Sequence, residues 1–163
     1  MPVNIVLIDP NRSRRLTYEQ LLTGDVVLHS LADPEAAANV LAIDLAIIAL
    51  RQTNGHGLSI GKELKTRHPD ATVVVYGKLE GATSAGKVKE RWGVDVHMPF
   101  TPEPSDIAAL LATTKLAQQR QIAAAAERAR QANRSNPRWG ELLREPVTSE
   151  SLKAVLKKDL FGR

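Results

Sequence analysis

Leu45-Ala-Ile-Ile-Ala-Leu50 carries no polar side chain at any of its positions. A strand wetted on one face alternates apolar with polar, so an unbroken run of this length predicts a strand covered on both faces by helices. Thr72-Val-Val-Val-Tyr76, downstream of it, has the same character, and Val3–Ile8, upstream, departs from it only at Asn4. Val26–Leu31 is aliphatic apart from His29 and Ser30, and Val94–Met98 is the last and most polar of the five runs.

Amphipathic stretches with start and stop signals separate these runs. Ser13 to Leu22 places Leu16, Gln20, Leu21 and Leu22 near one stripe, and Gly24 follows as a stop. Asp33-Pro34 offers an N-cap and a proline at the first helical position, predicting a second helix from Glu35 to Ala42. Leu58, Ile60 and Leu64, ended by His68-Pro69, mark a third. Gly81 to Trp92 is a fourth, weakened by Gly81 and Gly86. Ser105 opens a fifth, with Asp106 in the first turn, where the helix dipole favours a carboxylate. Strands and helices in strict alternation predict an α/β fold: a flavodoxin-like (βα)5 doubly wound parallel sheet of order 2-1-3-4-5.

The character changes after about Leu116, which divides the chain into a domain over 1–116 and an extension over 117–163. Gln118 to Arg134 is rich in strong helix formers, with Ile122 its only large apolar residue, and is expected to lengthen the fifth helix. Ser135-Asn136-Pro137 breaks it, Trp139, Leu142 and Leu143 form a small apolar patch, and Thr148–Phe161 reads as a short amphipathic helix bearing Leu152, Val155, Leu156 and Leu160. Residues 1–104 balance to a charge of −1 and residues 105–163 to +5, so the basic character belongs to the tail. There are no cysteines, which excludes a disulfide framework, a thiolate metal site and a cysteine nucleophile. No apolar run approaches the roughly 20 residues that span a bilayer, and the N-terminus leads straight into a strand; a cytoplasmic location is expected.

Ligand sites in open α/β sheets gather at the carboxyl ends of the strands. Those ends are Asp9-Pro10-Asn11, Ala49-Leu50-Arg51, Tyr76-Gly77-Lys78 and Met98-Pro99-Phe100. With Ile5-Val-Leu-Ile-Asp-Pro-Asn11, Asp44-Leu-Ala-Ile-Ile-Ala-Leu50, Asn54-Gly-His-Gly-Leu58, His68-Pro-Asp70 and Gly93-Val-Asp95, the chain resembles the response-regulator receiver family from residue 3 to about 116. The resemblance implies an acidic pair after strand one, a phosphoacceptor aspartate ending strand three, a threonine or serine ending strand four, and a Lys-Pro pair after strand five.

The departures define a degenerate member, a pseudo-receiver. Asp9 is kept, but Pro10 replaces its acidic neighbour and Ala49 falls on the phosphoacceptor position. Tyr76 (or Gly77, with the register moved by one) falls on the hydroxyl position, and Met98 on the lysine. Phosphoryl transfer to a carboxylate needs a nucleophile, a divalent cation held by oxygens and a cation on the phosphoryl group. Ala49 offers no nucleophile, Asp9 alone is a poor magnesium cage, and Met98 carries no charge. The expectation is no catalytic residue, no metal, no cofactor and no enzymatic activity.

Asp9 is expected as a leftover carboxylate solvated at a loop mouth. Tyr76 is open between a switch-like aromatic and a residue that fills the emptied site. His56 reads as loop surface, and His29, His68 and His97 are too scattered for a metal site. Met98-Pro99 is expected to keep the family's cis peptide. Trp92 reads as packing more than as a binding hot spot. Family members meet partners or dimerise through the face of the fourth helix, fifth strand and fifth helix. That resemblance points to Lys87, Arg91, Trp92, His97 and Phe100 as candidates for binding other signalling proteins or a second copy, joined by Trp139, Leu152 and Leu156 of the tail. The alternative is a DNA-binding regulator using the basic extension, although no helix-turn-helix is recognisable there and nucleic acid is not the expected partner. A flavin or cobalamin carrier lacks the corresponding phosphate-loop or Asp-x-His signatures, while Arg12, Ser13 and the arginines that follow offer a helix start suited to an anion.

Overall fold

The computed structural model describes residues 1–53, 56–79 and 85–134. Five parallel strands, β1 (Val3–Ile8), β2 (Val26–Leu31), β3 (Leu45–Ala49), β4 (Thr72–Tyr76) and β5 (Val96–Met98), form one sheet of order β2-β1-β3-β4-β5. The helices are α1 (Arg12–Leu21), α2 (Gly57–Arg67), α3 (Ala85–Trp92) and α4 (Pro104–Arg134), with a 3-10 helix at Pro34–Asn39. The expected order of strands is the observed one.

Alternation along each strand sorts the core into two layers. Val6, Ile8, Ala46, Ile48, Val73 and Val75 face Leu58 and Leu64 of α2 and Val88 of α3. Val3, Ile5, Leu7, Leu45, Ile47, Ala49, Val74 and Tyr76 face Tyr18 of α1 and Ile107 and Leu110 of α4. β1, β3 and β4 are buried almost throughout, as their unbroken apolar runs require. By parity Asp9, two residues beyond Leu7, belongs to the same layer as Ala49 and Tyr76.

Three expectations are corrected. The second helix is a 3-10 turn that stops at Asn39 instead of an α-helix to Ala42. Its last carbonyls are met by a short-range bond from Val40 N to Ala37 O, and Val40 itself is extended, carrying the chain toward β3. On α1 the inward residues are Tyr18 and Leu22, one turn apart, whereas Leu16 is 48% exposed. The Met98–Pro99 peptide is trans; the intrinsic preference for that form, about 0.5–1 kcal/mol, prevails. The fourth expected helix is described from Ala85, and its first residues, 81–84, lie outside the described residues.

Two glycines draw the carboxyl ends of the central strands together. Gly57 opens α2 so close to β3 that a Cβ there would sit 2.4 Å from Ala49 O, and its N–H donates to Leu50 O. Gly77, with φ +134°, lets the chain leave β4 against Leu50, where an added Cβ would meet Leu50 Cβ at 2.8 Å. The chain divides into two units after Gln118, a boundary that falls inside α4. Within the second unit, residues 119–132 of α4 are exposed, in keeping with their polar sequence. Among the described residues no helix is long and apolar enough to cross a membrane.

Candidate functional site

Asp9 leaves the end of β1 at the base of the site, with no solvent exposure. Its two oxygens offer about four acceptor positions, and the chain itself fills four. Arg14 grips it in a fork, Nε to Oδ2 at 2.7 Å and Nη2 to Oδ1 at 2.9 Å. Asn11 N donates to Oδ1 at 2.8 Å, and the Tyr76 hydroxyl donates to Oδ2. Asn11 also caps α1, its side chain accepting from Arg14 N at 3.1 Å. Arg15 adds a bond from Nη1 to the Asp9 carbonyl at 2.6 Å.

Burial pushes the Asp9 carboxyl up, but the hydrogen bonds from Arg14, Tyr76 and Asn11, with the Arg14 charge, outweigh it and hold the group below its ordinary 3.8. Arg14 is correspondingly raised, first by its bonds to Asp9. Burial, then the adjacent carboxylate, raises the Tyr76 phenol, so it stays protonated and a donor. The charge pair is complete without any outside ion.

Tyr76 reaches Asp9 across β3, because β1 and β4 are two strand spacings apart, about 9.5 Å. Ala49 pairs with Tyr76 in register and is buried on the same face. Its methyl leaves room for the phenol ring to lie over β3. Tyr18 of α1 packs edge-on against that ring, centroids 5.7 Å apart at 66°. Burial pushes the Tyr18 phenol up to about 12. Gln52 closes the neighbouring strand ends, its Nε2 donating to Ala49 O at 2.7 Å and Ile8 O at 3.2 Å.

Asp9, Ala49 and Tyr76 are therefore brought together, and Met98, paired with Tyr76, packs into the same apolar layer. Pro10 is half-buried beside Asp9. Asp9 is not a solvated carboxylate; Arg14 and Tyr76 enclose it. A magnesium ion, which the family resemblance implies, does not fit these residues: Pro10 and Ala49 carry no side-chain oxygen, and the Asp9 lone pairs already accept from the protein. Arg14 escaped the sequence reading as a site residue. The arginine-rich start of the first helix was recognised as suited to an anion, and the anion is the chain's own Asp9.

The candidate partner residues divide. Lys87 and Arg91 are exposed, and Phe100 is 79% exposed. His97 is half-buried, its Nε2 lying 2.8 Å from Gly77 O, which ties β5 to the end of β4. Trp92 packs against the core layer beneath α2 and α3, with the Arg91 guanidinium 5.6 Å from its ring centroid. Trp139, Leu152 and Leu156 lie outside the described residues. His56 is exposed and caps α2, its Nδ1 accepting from Leu58 N at 3.4 Å.

Neither a family model nor a curated protein matches the chain. Solved structures do. A signal receiver domain of an HD-domain-containing protein from Pseudomonas fluorescens aligns with a TM-score of 0.65 at 17% identity, over 73% of this chain and 98% of that one. A CheY-like response regulator receiver domain from Methanospirillum hungatei aligns with a TM-score of 0.64 at 11% identity, over 74% and 99%. The fold is the receiver fold. An adenylate cyclase structure from Rhodopirellula baltica aligns over more of this chain, 80%, and 98% of its own, with a TM-score of 0.66 at 15% identity. On this receiver fold the site faces the carboxyl edge of the sheet, as in open α/β sheets generally, but is built from an arginine, a tyrosine and an alanine around one aspartate.

Proposed function

We propose that this chain is a phosphorylation-independent pseudo-receiver that acts by docking other signalling proteins. One observation carries the reading: every acceptor position of Asp9 is taken by a donor of the chain itself, while a methyl group stands at Ala49. With neither a nucleophile nor an open carboxylate, the site holds one arrangement instead of switching between two. A module of that kind signals by presence and position, through a surface that is always displayed.

The docking surface proposed is the face of α3, β5 and α4, with Phe100 as its exposed aromatic and Lys87 and Arg91 as its charged rim. The extension after Leu116 supplies a second element, including Trp139, Leu152 and Leu156. Partner capture from a bacterial extract, with the intact chain as bait, tests this directly. The same partners are expected with and without acetyl phosphate and magnesium, and Phe100→Glu is expected to weaken capture by tenfold or more, about 1.4 kcal/mol. Capture that rises with acetyl phosphate contradicts the proposal. A bait ending at Leu116 separates the contribution of the extension from that of the domain.

A further inference from the structure

β2 ends the sheet, and its sequence leaves that end open. Val26-Val-Leu-His-Ser-Leu31 pairs with β1 at every position, and no strand of the described residues lies beyond it. Natural edge strands are guarded against further pairing by charges, by proline, by bulges or by shortness. The opposite edge, β5, follows that rule, with three residues and Pro99 next in the chain. β2 carries no Lys, Arg, Asp, Glu or Pro, and its ladder with β1 runs without a bulge. None of its residues is buried, and Val27 is 41% exposed.

Two hydrogen bonds show which backbone groups face outward. Val3 N donates to Asp25 O and Asp9 N to Leu31 O, each at 3.1 Å. Strand geometry alternates, so Asp25, Val27, His29 and Leu31 turn their backbone groups to β1, while Val26, Leu28 and Ser30 turn theirs past the edge. The Val26 amide donates locally to Gly24 O at 2.9 Å. Leu28 and Ser30 each present a donor and an acceptor where no strand of the described residues pairs with them.

We propose that β2 pairs antiparallel with β2 of a second copy of this chain, about a twofold axis at His29. In that register Leu28 lies opposite Ser30 of the other copy, and the two exchange both backbone hydrogen bonds. Val27 meets Leu31 of the other copy on the face that β1 turns to α2, an apolar cross-strand pair, and the two His29 residues lie side by side at the axis. Charge selects the occupant. An uncharged strand gives a basic or acidic peptide nothing to pair with, whereas two identical uncharged strands meet without repulsion. The nearest carboxylates, Asp25 and Asp33, lie beyond the strand ends, and Asp33 is engaged in capping the 3-10 helix. This edge is the far one from β5, so the α3, β5 and α4 faces of both copies stay open. The joined sheet sets its two β5 strands about 43 Å apart, nine spacings of about 4.8 Å, and one particle then displays two such faces. The pairing holds whether or not those faces dock proteins.

The chain has no cysteine, so a single introduced thiol reports its own position. Opposed residues of a non-hydrogen-bonded antiparallel pair have Cα atoms about 4.5 Å apart, inside the disulfide range of about 4.4–6.8 Å. Full-length His29→Cys in a glutathione redox buffer is expected to form a disulfide-linked dimer at least about tenfold faster than Lys62→Cys, an exposed position on α2. Sedimentation equilibrium of the unmodified full chain should show monomer and dimer with a Kd below about 100 µM. Leu28→Pro removes an outward amide and leaves the β1 ladder intact, and Val27→Lys charges the edge; each should raise that Kd at least about tenfold. Urea melts of each variant at monomeric concentration keep loss of pairing distinct from loss of fold. Three outcomes overturn the proposal: no dimer up to about 500 µM, a dimer that either folded variant leaves as tight, or His29→Cys linking no faster than Lys62→Cys.

Discussion

Replacing Arg14 by methionine is expected to destabilise the folded chain by about 2–3 kcal/mol and to move its acid unfolding to higher pH. Removing one member of a fully buried pair costs about 3–5 kcal/mol. The lower figure applies because the Arg14 side chain is 41% exposed while that of Asp9 is fully enclosed. What drives the loss is the carboxylate left behind, buried and short of two donors. In the unmodified chain the Asp9 pKa is depressed, so its stabilisation is complete above the unfolded value near 3.8 and is lost only as pH falls through the lower folded value. Without Arg14, burial has less to oppose it and the folded pKa rises toward the unfolded value, so the pH-dependent share of the stabilisation shrinks, and the less stable chain reaches its acid unfolding at higher pH. Urea melts of both proteins across an acid pH series measure both effects. In the Asp9→Asn background the Arg14 substitution should cost under about 1 kcal/mol, since no charge is stranded. Equal costs in the two backgrounds would dismiss the ion pair as the organising contact.

Ala49→Asp restores the missing nucleophile by name, and it is expected to fail as a phosphoacceptor while costing about 3 kcal/mol of stability. Ala49 is 3% exposed, and its methyl is what lets the Tyr76 ring cross β3 to Asp9. A carboxylate there competes with the ring for space and sets a second negative charge beside one whose partners are already committed. Thermal melting gives the cost, and intact-mass measurement after acetyl phosphate and magnesium reads phosphorylation. Adding Tyr76→Thr should recover part of the lost stability by relieving the crowding. A stable single variant that gains a phosphoryl group would show that the site had kept its chemistry and lacked only one side chain.

The fold was legible because the central strands are apolar on both faces, and such runs have few other uses. Leu45–Leu50 and Thr72–Tyr76 place β3 and β4 at the centre of the sheet without help from any neighbour. The segment after Asp33-Pro34 was harder. Its alanines favour a helix, but the chain has few residues in which to turn back from β2 to β3, and a 3-10 turn covers that distance. Leu16 shows that an apolar residue at helical spacing is not thereby buried, since Tyr18, with its larger apolar body, takes the inward position.

At the site, what had been lost was visible in the sequence and what replaced it was not. Ala49 and Met98 announce the loss by their chemistry alone. The replacement depends on Tyr76 meeting Asp9 from two strands away, at a separation of sixty-seven positions along the chain, and local patterning carries no such information. Arg14 lies only five residues from Asp9. Its role still required knowing that α1 begins at once after Asn11, so that the guanidinium folds back over the strand end instead of pointing to solvent.

The most direct measurement is an amide NMR spectrum of the isotopically labelled chain, recorded with magnesium and then with magnesium and beryllofluoride. Spectra that superimpose, at Asp9, Asn11, Ala49 and Tyr76 above all, are the predicted result. Saturable shifts confined to those residues would mean that Arg14 and Tyr76 release the aspartate to a metal ion, and a permanently closed site would be untenable.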